Sequence, residues 1–398
     1  MIKKICILGL GYIGLPTAAL LSNRGFYVHG VDIEESKVDT INKGKAYFYE
    51  PGLDNLISKS IDKNMLVADK KASKADVFII AVPTPFKDNF EPNIDFVIEA
   101  IESIIPFLED NNLIIIESTI PVGTTKMVEN YIKDKGIDVS KIHIAHCPER
   151  VLPGNIIDEM ENNDRIVGGT KEFSTEKIAD FYKSFVKGNI FSTDDKTAEM
   201  AKLTENSFRD LNIAFANEIS MICDKENINP WELINLANKH PRVNILNPSP
   251  GVGGHCIAVD PWFIINSNKS ESQIIKKARE VNLFKTEWVI NQIKSFAIDY
   301  KKKHKKNPTI CCMGLSYKPN VDDCRESPSI QIVNTLEKEN FTVVAVEPNI
   351  DKFENINLVN LEEGLNNSEI VVWLVKHKEF ENKNNEHHLD FCGMLAEE

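Results

Sequence analysis

Short apolar runs rich in Ile and Val recur from residue 2 to about 150: KICILGL, YVHGVDI, ADVFIIAVP, NLIIIEST and IHIAHCP. Runs this short, apolar at successive positions, belong to parallel strands covered on both faces. Between them, over Gly14 to Gly25, Ile94 to Leu108 and Thr124 to Lys135, apolar positions return at helical spacing. Repeated strand–helix units predict a doubly wound sheet with right-handed crossovers.

Beyond RIVGG (Arg165 to Gly169) and a helix near Ser174 to Lys187, the pattern lengthens. From Asp195 to Glu226 no Gly or Pro intervenes, and Met200, Leu203, Leu211, Phe215, Ile219 and Ile222 mark one long, partly buried helix. A second long helix is expected over Ser272 to Lys303. Strand patterns then return as TICCMGL, FTVVAVEP and EIVVWLV around a helical segment, Ser329 to Asn340. The Asn-, Glu- and His-rich stretch near Glu381 to His388 reads as loop. The expected class is α/β, with two Rossmann-like doubly wound sheet domains joined by a helical middle region containing a long central helix. The boundaries are set at 1–190, 191–303 and 304–398.

Composition narrows the picture. A chain of 398 residues, 42% hydrophobic, has too much core for one domain. Its net charge of -13 argues against nucleic acid, which needs a basic face, and the run Lys301 to Lys306 reads as a solvated helix end. No stretch approaches the roughly 18 apolar residues of a membrane span. MIKKICILGLGYIG enters a strand directly, so no leader and a cytoplasmic location are expected. Cysteines 6, 147, 223, 256, 311, 312, 324 and 392 show no CxxC pair and no metal-ligand spacing. They read as reduced thiols, with no metal site.

Candidate chemistry begins at Gly9-Leu10-Gly11-Tyr12-Ile13-Gly14, between the first strand and the first helix. Gly9 permits the tight turn, Gly11 the approach of a pyrophosphate and Gly14 close helix–strand packing, while the helix N-terminus supplies free N–H groups. Asp32, at the end of the second strand, accepts from ribose hydroxyls and repels a 2′-phosphate, which favours NAD over NADP. Thr84 in Val82-Pro83-Thr84-Pro85 and Thr119 in Glu117-Ser118-Thr119 fall at the same sheet edge, as further cofactor contacts.

Three more segments carry candidate chemistry, each with a plainer reading. In Pro250-Gly251-Val252-Gly253-Gly254-His255-Cys256, glycines present a cysteine that can attack an aldehyde, with Asp260 one helical turn on; the plainer reading is a small buried hydrophobe. Lys202, Asn206 and Arg209 share one helix face and suit an oxyanion, or are a solvated stripe. In His146-Cys147-Pro148-Glu149-Arg150-Val151, Glu149 suits a general base and Arg150 an anion ligand, or the segment is a charged linker.

Taken together, GLGYIGLP, AVPTP, ESTIPVGTT, CPERVLPG, AEMAKLTENSFRDLNIAFANE, HPRVNILNPSPGVGGHCIAVDPWF and GLSYKPNVDDCRESPS resemble the UDP-glucose/GDP-mannose dehydrogenase family, in order from residue 1 to about 375. The run GGHCIAVDPWF is similar to that of members acting on UDP-N-acetyl-D-mannosamine, with UDP-N-acetyl-D-glucosamine or UDP-glucose as alternatives. The resemblance implies an NAD-binding first domain, a central dimerisation and catalytic region, and a UDP-sugar-binding third domain. It implies Cys256 as nucleophile, Lys202 as acid/base and oxyanion stabiliser, and Asn206 as its partner. Glu149 and Asp260 would activate water, and Thr119 would stand near the nicotinamide. Arg150, Val151, Arg209, His240, Arg242, Gly253, Tyr317 and Lys318 are implied as contacts to a UDP-N-acetylhexosamine, Arg242 reaching toward a neighbouring subunit. Arg325 is implied to touch the cofactor. A homodimer or larger assembly follows from the family's pairing through its long helix. The tail from Glu379 departs from the family's usual ending.

What the resemblance implies is a four-electron oxidation of the sugar's carbon 6 alcohol to a carboxylate through a cysteine thiohemiacetal and thioester, supplying a precursor of surface polysaccharide. A single-hydride dehydrogenase of the hydroxyacid type and a non-catalytic NAD sensor remain as other readings; neither needs Cys256.

Overall fold

The computed structural model describes every residue except 1, 88, 384–385 and 397–398. The chain divides into two compact units, one of Met1–Thr204 with Trp262–Ser267, the other of Glu205–Pro261 with Asn268–Glu398.

The first unit contains β1 (Lys4–Leu8), β2 (Tyr27–Val31), β3 (Leu66–Asp69), β4 (Val77–Ile80), β5 (Leu113–Ile116), β6 (His143–His146), β7 (Arg165–Gly169) and β8 (Ile190–Asp194). They form one sheet in the order β3-β2-β1-β4-β5-β6-β7-β8, parallel except between β6 and β7. The doubly wound order reverses direction between β1 and β4, the place where such sheets bind ligands. The helices are α1 (Gly14–Asn23), α2 (Glu35–Asn42), α3 (Leu53–Asp62), α4 (Asp95–Ile104), α5 (Thr124–Asp134), α6 (Ile156–Asn162) and α7 (Glu172–Lys183). The central strands lack polar alternation because they feed two apolar layers. Along β4, Val77 and Ile79 join Ile5, Ile7 and Ile115, whereas Phe78 and Ile80 join Cys6, Leu8 and Ile116.

The chain leaves this unit inside α8 (Asp195–Glu226), passes through α9 (Pro230–Ala237), re-enters it inside α10 (Asp260–Ser267) and continues as α11 (Gln273–His304). The second unit ends in β9 (Thr309–Met313), α12 (Pro328–Lys338), β10 (Thr342–Val346), α13 (Leu361–Asn367), β11 (Ile370–Trp373) and β12 (His388–Asp390). Their sheet runs β10-β9-β11-β12, all parallel. The adjacent Cys311 and Cys312 face opposite sides of it, Cys311 among Trp373 and Phe380, Cys312 among Val289 and Ile293 of α11.

The α/β class holds, and the long helix has the predicted span. The helix expected over Ile94 to Leu108 stops at Ile104 and closes in a 3-10 turn, Ile105–Phe107, where Pro106 supplies no N–H. Two strands escape the apolar pattern: β3 is four residues long, and β8, at the sheet edge, is largely exposed and polar. The stretch 381–388 is not loop throughout, because His388 opens β12 by pairing with Val371, a long-range match that local composition does not show; residues 384–385 lie outside the described part.

Inside the second unit, Lys285 of α11 is 2% exposed, donates to Ser220 Oγ (2.8 Å) and lies 4.0 Å from the Trp288 ring centroid. Burial pushes its ammonium down to about 7, with Asp224 opposing. The native pKa is thus below the unfolded one, so stability rises with pH between about 7 and the unfolded lysine value, and the buried charge is most costly below that window. Lys285→Met is expected to stabilise the chain by ~1–3 kcal/mol near pH 6, with the advantage shrinking toward pH ~10. Thermal melts at both pH values check this; a variant that melts lower at both contradicts it.

Candidate active site

In the first unit, the Gly9–Gly14 turn has the close contacts that a dinucleotide cradle requires. Gly9 has φ +89°, and a Cβ there would lie 2.5 Å from the Ala81 carbonyl oxygen. A Cβ on Gly14 would lie 1.8 Å from the Gly9 carbonyl oxygen, whereas one on Gly11 would meet open space within 4 Å. Gly9 and Gly14 are thus fixed by protein packing, and the Gly11 side is clear for a ligand. Asp32, 9% exposed, accepts from Leu10 N (3.1 Å) and Glu34 N (3.0 Å), which anchors its carboxylate beside the turn. Tyr12 packs on Phe48, and Ile13, half-buried, precedes the helix. These residues fit NAD.

Thr84 follows β4, Thr119 follows β5 and Glu149 to Val151 follow β6, so all stand at the carboxyl edge of the sheet. Thr84, Thr119, Arg150 and Val151 are half-buried. Glu149 is 8% exposed, accepts from Arg150 N (2.7 Å) and Val151 N (3.2 Å), and pairs with Arg165 Nη1 at 2.7 Å. Arg165 also neighbours Glu117 at 3.9 Å, which accepts from Tyr182 Oη (2.6 Å). Burial raises the Glu117 carboxyl well above the usual range, Arg165 opposing and Glu149 adding. Arg165 is not among the residues that the sequence pattern singles out. Its signal was a lone arginine opening an otherwise apolar buried run.

His146 is fully buried with Nδ1 2.8 Å from the Ile116 carbonyl oxygen, and burial pushes it down to about 3, aided by the charge of Lys202. It is neutral at physiological pH. Glu199 of α8, also fully buried, accepts from Gly123 N (2.5 Å), Thr125 N (2.7 Å) and Thr125 Oγ1 (2.6 Å), capping α5. Three residues on, Lys202 is half-buried.

In the second unit, Asn206, Cys256 and Asp260 form one knot. Asn206 Nδ2 donates to Asp260 Oδ2 (2.5 Å), and Asp260 N donates to the Cys256 carbonyl (2.8 Å), as does Val259 N (3.0 Å). Cys256 thus sits in the turn that starts α10 and is half-buried. Burial raises seven thiols: Cys6 to about 11, Cys147, Cys311 and Cys324 to about 12, and Cys223, Cys312 and Cys392 as well. Those seven stay protonated at physiological pH.

The glycines before Cys256 are needed for close approach. A Cβ on Gly253 would lie 2.6 Å from the Glu326 carbonyl oxygen, and one on Gly254 2.9 Å from the Tyr317 ring. Gly254 N donates to the Arg325 carbonyl (2.9 Å). The segment 317–326 is therefore laid against the Cys256 loop, with Tyr317, Lys318 and Arg325 on it. The Arg325 guanidinium is held by Asp323 (Nη2 to Oδ2, 2.6 Å), and Lys318 Nζ stands 5.7 Å from the Tyr317 ring centroid. Arg209 is exposed on α8, and His240 and Arg242 are exposed beyond α9, where Arg242 N donates to His240 Nδ1 (3.3 Å).

Among the described residues no cluster of three or more His, Cys, Asp or Glu suits a metal ion, and no helix is long and apolar enough to cross a membrane.

Three family models match consecutive stretches: the NAD binding domain of the UDP-glucose/GDP-mannose dehydrogenase family over residues 3–186, its central domain over 196–283 and its UDP binding domain over 311–392. A UDP-N-acetyl-D-mannosamine dehydrogenase of Campylobacter jejuni is 51% identical over 408 aligned residues, covering 98% of this chain and 99% of its own. An NDP-N-acetyl-D-galactosaminuronic acid dehydrogenase of Ralstonia nicotianae is 47% identical, covering 95% of this chain and 92% of its own. The solved structure of a UDP-N-acetyl-mannosamine dehydrogenase from S. aureus superposes with a TM-score of 0.91 at 38% identity, covering 100% of this chain and 96% of that one. Sequence, domain order and backbone agree, and the chain belongs to the UDP-glucose/GDP-mannose dehydrogenase family.

Proposed function

We propose that this protein is an NAD-dependent UDP-N-acetyl-D-mannosamine 6-dehydrogenase, oxidising carbon 6 of the sugar from alcohol to carboxylate through Cys256. The observation that carries the reading is the knot of Asn206, Asp260 and Cys256, with the glycines that bring segment 317–326 against it. Relatives named for UDP-N-acetyl-D-mannosamine at 45–51% identity support the substrate.

The Gly9–Gly14 turn and Asp32 would hold NAD, which when bound would supply the hydride acceptor for each of two oxidations at carbon 6. Lys202 and Asn206 stabilise negative charge on the carbon 6 oxygen, Lys202 taking the hydroxyl proton. The Cys256 sulfur adds to the resulting aldehyde, giving a thiohemiacetal; loss of the second hydride leaves a thioester. Water, deprotonated with the help of Asp260 and Glu149, adds to the thioester carbonyl and expels the thiol, and the product is the uronate. Thr119 stands at the nicotinamide. Arg150, Val151, Arg209, His240, Gly253, Tyr317 and Lys318 bind the nucleotide sugar, Arg242 serves a neighbouring subunit and Arg325 contacts the cofactor. Residues 1–190 hold NAD, 191–303 supply the catalytic and pairing helices, and 304–398 hold the UDP-sugar.

The assembly is a homodimer or larger. Phe208, Phe215 and Ile222 recur every seven residues along α8 and are 69%, 48% and 50% exposed, an apolar stripe that suits a second copy. Free thiols and an NAD-linked reaction suit the cytoplasm, and the uronate suits polysaccharide synthesis.

The test is NADH production with UDP-glucose and the UDP-linked N-acetyl derivatives of glucosamine, galactosamine and mannosamine. The mannosamine derivative is expected to have a kcat/KM at least ~10-fold above the others. A higher value for any of the other three overturns the substrate assignment.

A further inference from the structure

Helices α8 and α11 meet in the second unit through polar side chains. On α8 these are Asp210, Asn217 and Ser220, at i, i+7 and i+10. On α11 they are Arg279, Asn282 and Thr286, at i, i+3 and i+7, with Lys285 beside them. None is more than 7% exposed, and Asp210 and Asn217 are fully buried. Arg279 Nη1 donates to Asp210 Oδ1 (2.6 Å). Asn282 Nδ2 donates to the same Oδ1 (2.8 Å) and to the Asp210 carbonyl oxygen (3.1 Å), while Asn217 Nδ2 donates to Asn282 Oδ1 (2.9 Å).

The seam reaches the segment that carries Cys256 at both ends. Asn217 Oδ1 accepts from Ser249 N (2.8 Å), and Thr286 Oγ1 donates to the Pro250 carbonyl oxygen (3.0 Å). At the other end, Arg279 Nη1 faces the Ile257 carbonyl oxygen at 3.5 Å. Thr286 also fixes the path between them, since a Cβ on Gly251 would come within 2.3 Å of its Oγ1. One turn before Asp210, Asn206 holds Asp260, whose N–H holds the Cys256 carbonyl. The backbone around Cys256 is therefore tied to both helices at points before and after the sulfur.

We propose that this buried seam is a positioning device: it locks the register of α8 against α11 and so fixes the Cys256 thiol relative to Asn206. The proposal rests on Cys256 being the nucleophile. Apolar side chains of similar volume would pack two helices at least as stably, because burying an ion pair costs desolvation that its attraction only partly offsets. What apolar packing lacks is direction. Each bond of the seam is satisfied in one register only, and a slip of one helical turn, about 5.4 Å, breaks them together. A covalent nucleophile needs that definition, since a misplacement of about 1 Å costs on the order of 100-fold in rate.

Two variants of the full-length protein test it. Asn282→Leu removes the hub of the seam with little change in volume, and Thr286→Val removes one bond to the loop in a nearly isosteric way. Melting temperature and NAD affinity report whether each is folded. The expected result is native NAD affinity, a kcat lowered about 100-fold in Asn282→Leu and about 10-fold in Thr286→Val, and a smaller change in sugar KM. The pH profile of Cys256 alkylation by iodoacetamide, read by mass spectrometry at that residue, is expected to shift in both, which a purely structural role would not produce. If Asn282→Leu does not fold, Thr286→Val alone decides. Folded variants with kcat within about threefold of the parent and an unchanged alkylation profile overturn the proposal. Cys256→Ser separates the two levels: a serine variant that still makes carboxylate removes the nucleophile reading and the seam's purpose with it, whereas an inactive serine variant beside active seam variants removes the seam alone.

Discussion

Cys256→Ser is expected to lose carboxylate formation by at least ~10³-fold while keeping NAD affinity and melting temperature. Serine is nearly isosteric, and residue 256 is half-buried in the turn that leads into α10 rather than in a core, so folding should change by less than ~0.5 kcal/mol. The chemistry changes instead. A neutral hydroxyl has almost no alkoxide at physiological pH, adds poorly to an aldehyde and forms an ester that water cleaves slowly, so both covalent steps suffer. The Gly9–Gly14 turn belongs to the other unit and is untouched. Carboxylate measured by mass spectrometry, with NAD binding measured in parallel, checks the prediction. A serine variant with near-parental turnover would favour the single-hydride reading, in which no thiol takes part.

Gly14→Ala is expected to remove NAD binding, weakening it at least ~100-fold, and to lower stability by ~3 kcal/mol or more. The added methyl would sit 1.8 Å from the Gly9 carbonyl oxygen and 3.4 Å from the Ala81 Cβ, so relief requires moving either α1 or the end of β1. Either movement would open the turn whose N–H groups are proposed to meet the pyrophosphate. Gly11→Ala is the contrasting case, because its Cβ meets nothing within 4 Å in the protein. It should melt normally and lose affinity only through contact with the cofactor. NAD titration together with thermal melting separates the two, and normal melting of Gly14→Ala would contradict the packing account.

The parts legible in the sequence were those set by local pattern. The β4 run VFII announces burial on both faces, and α8 runs 32 residues with no helix breaker. The Gly9–Gly14 turn with Asp32 beside it is legible because strand, glycines and acid are close along the chain. Tertiary partners were not. Asp210 and Asn282 lie 72 residues apart, and each alone resembles a polar position on a solvated helix face. Arg165 was hidden likewise, its role set by Glu149 and Glu117 from other strands' ends. Strand β8 was obscured because, at an edge, it needs no apolar outer face.

One thiol that holds the sugar through two successive oxidations fixes how many cofactors are reduced per sugar. The decisive measurement is the count of NADH formed against UDP-N-acetyl-D-mannosamine consumed. Two NADH per sugar, with carboxylate as product and no free aldehyde captured by a hydrazine, is the predicted result; one NADH per sugar with aldehyde released to solution would contradict it.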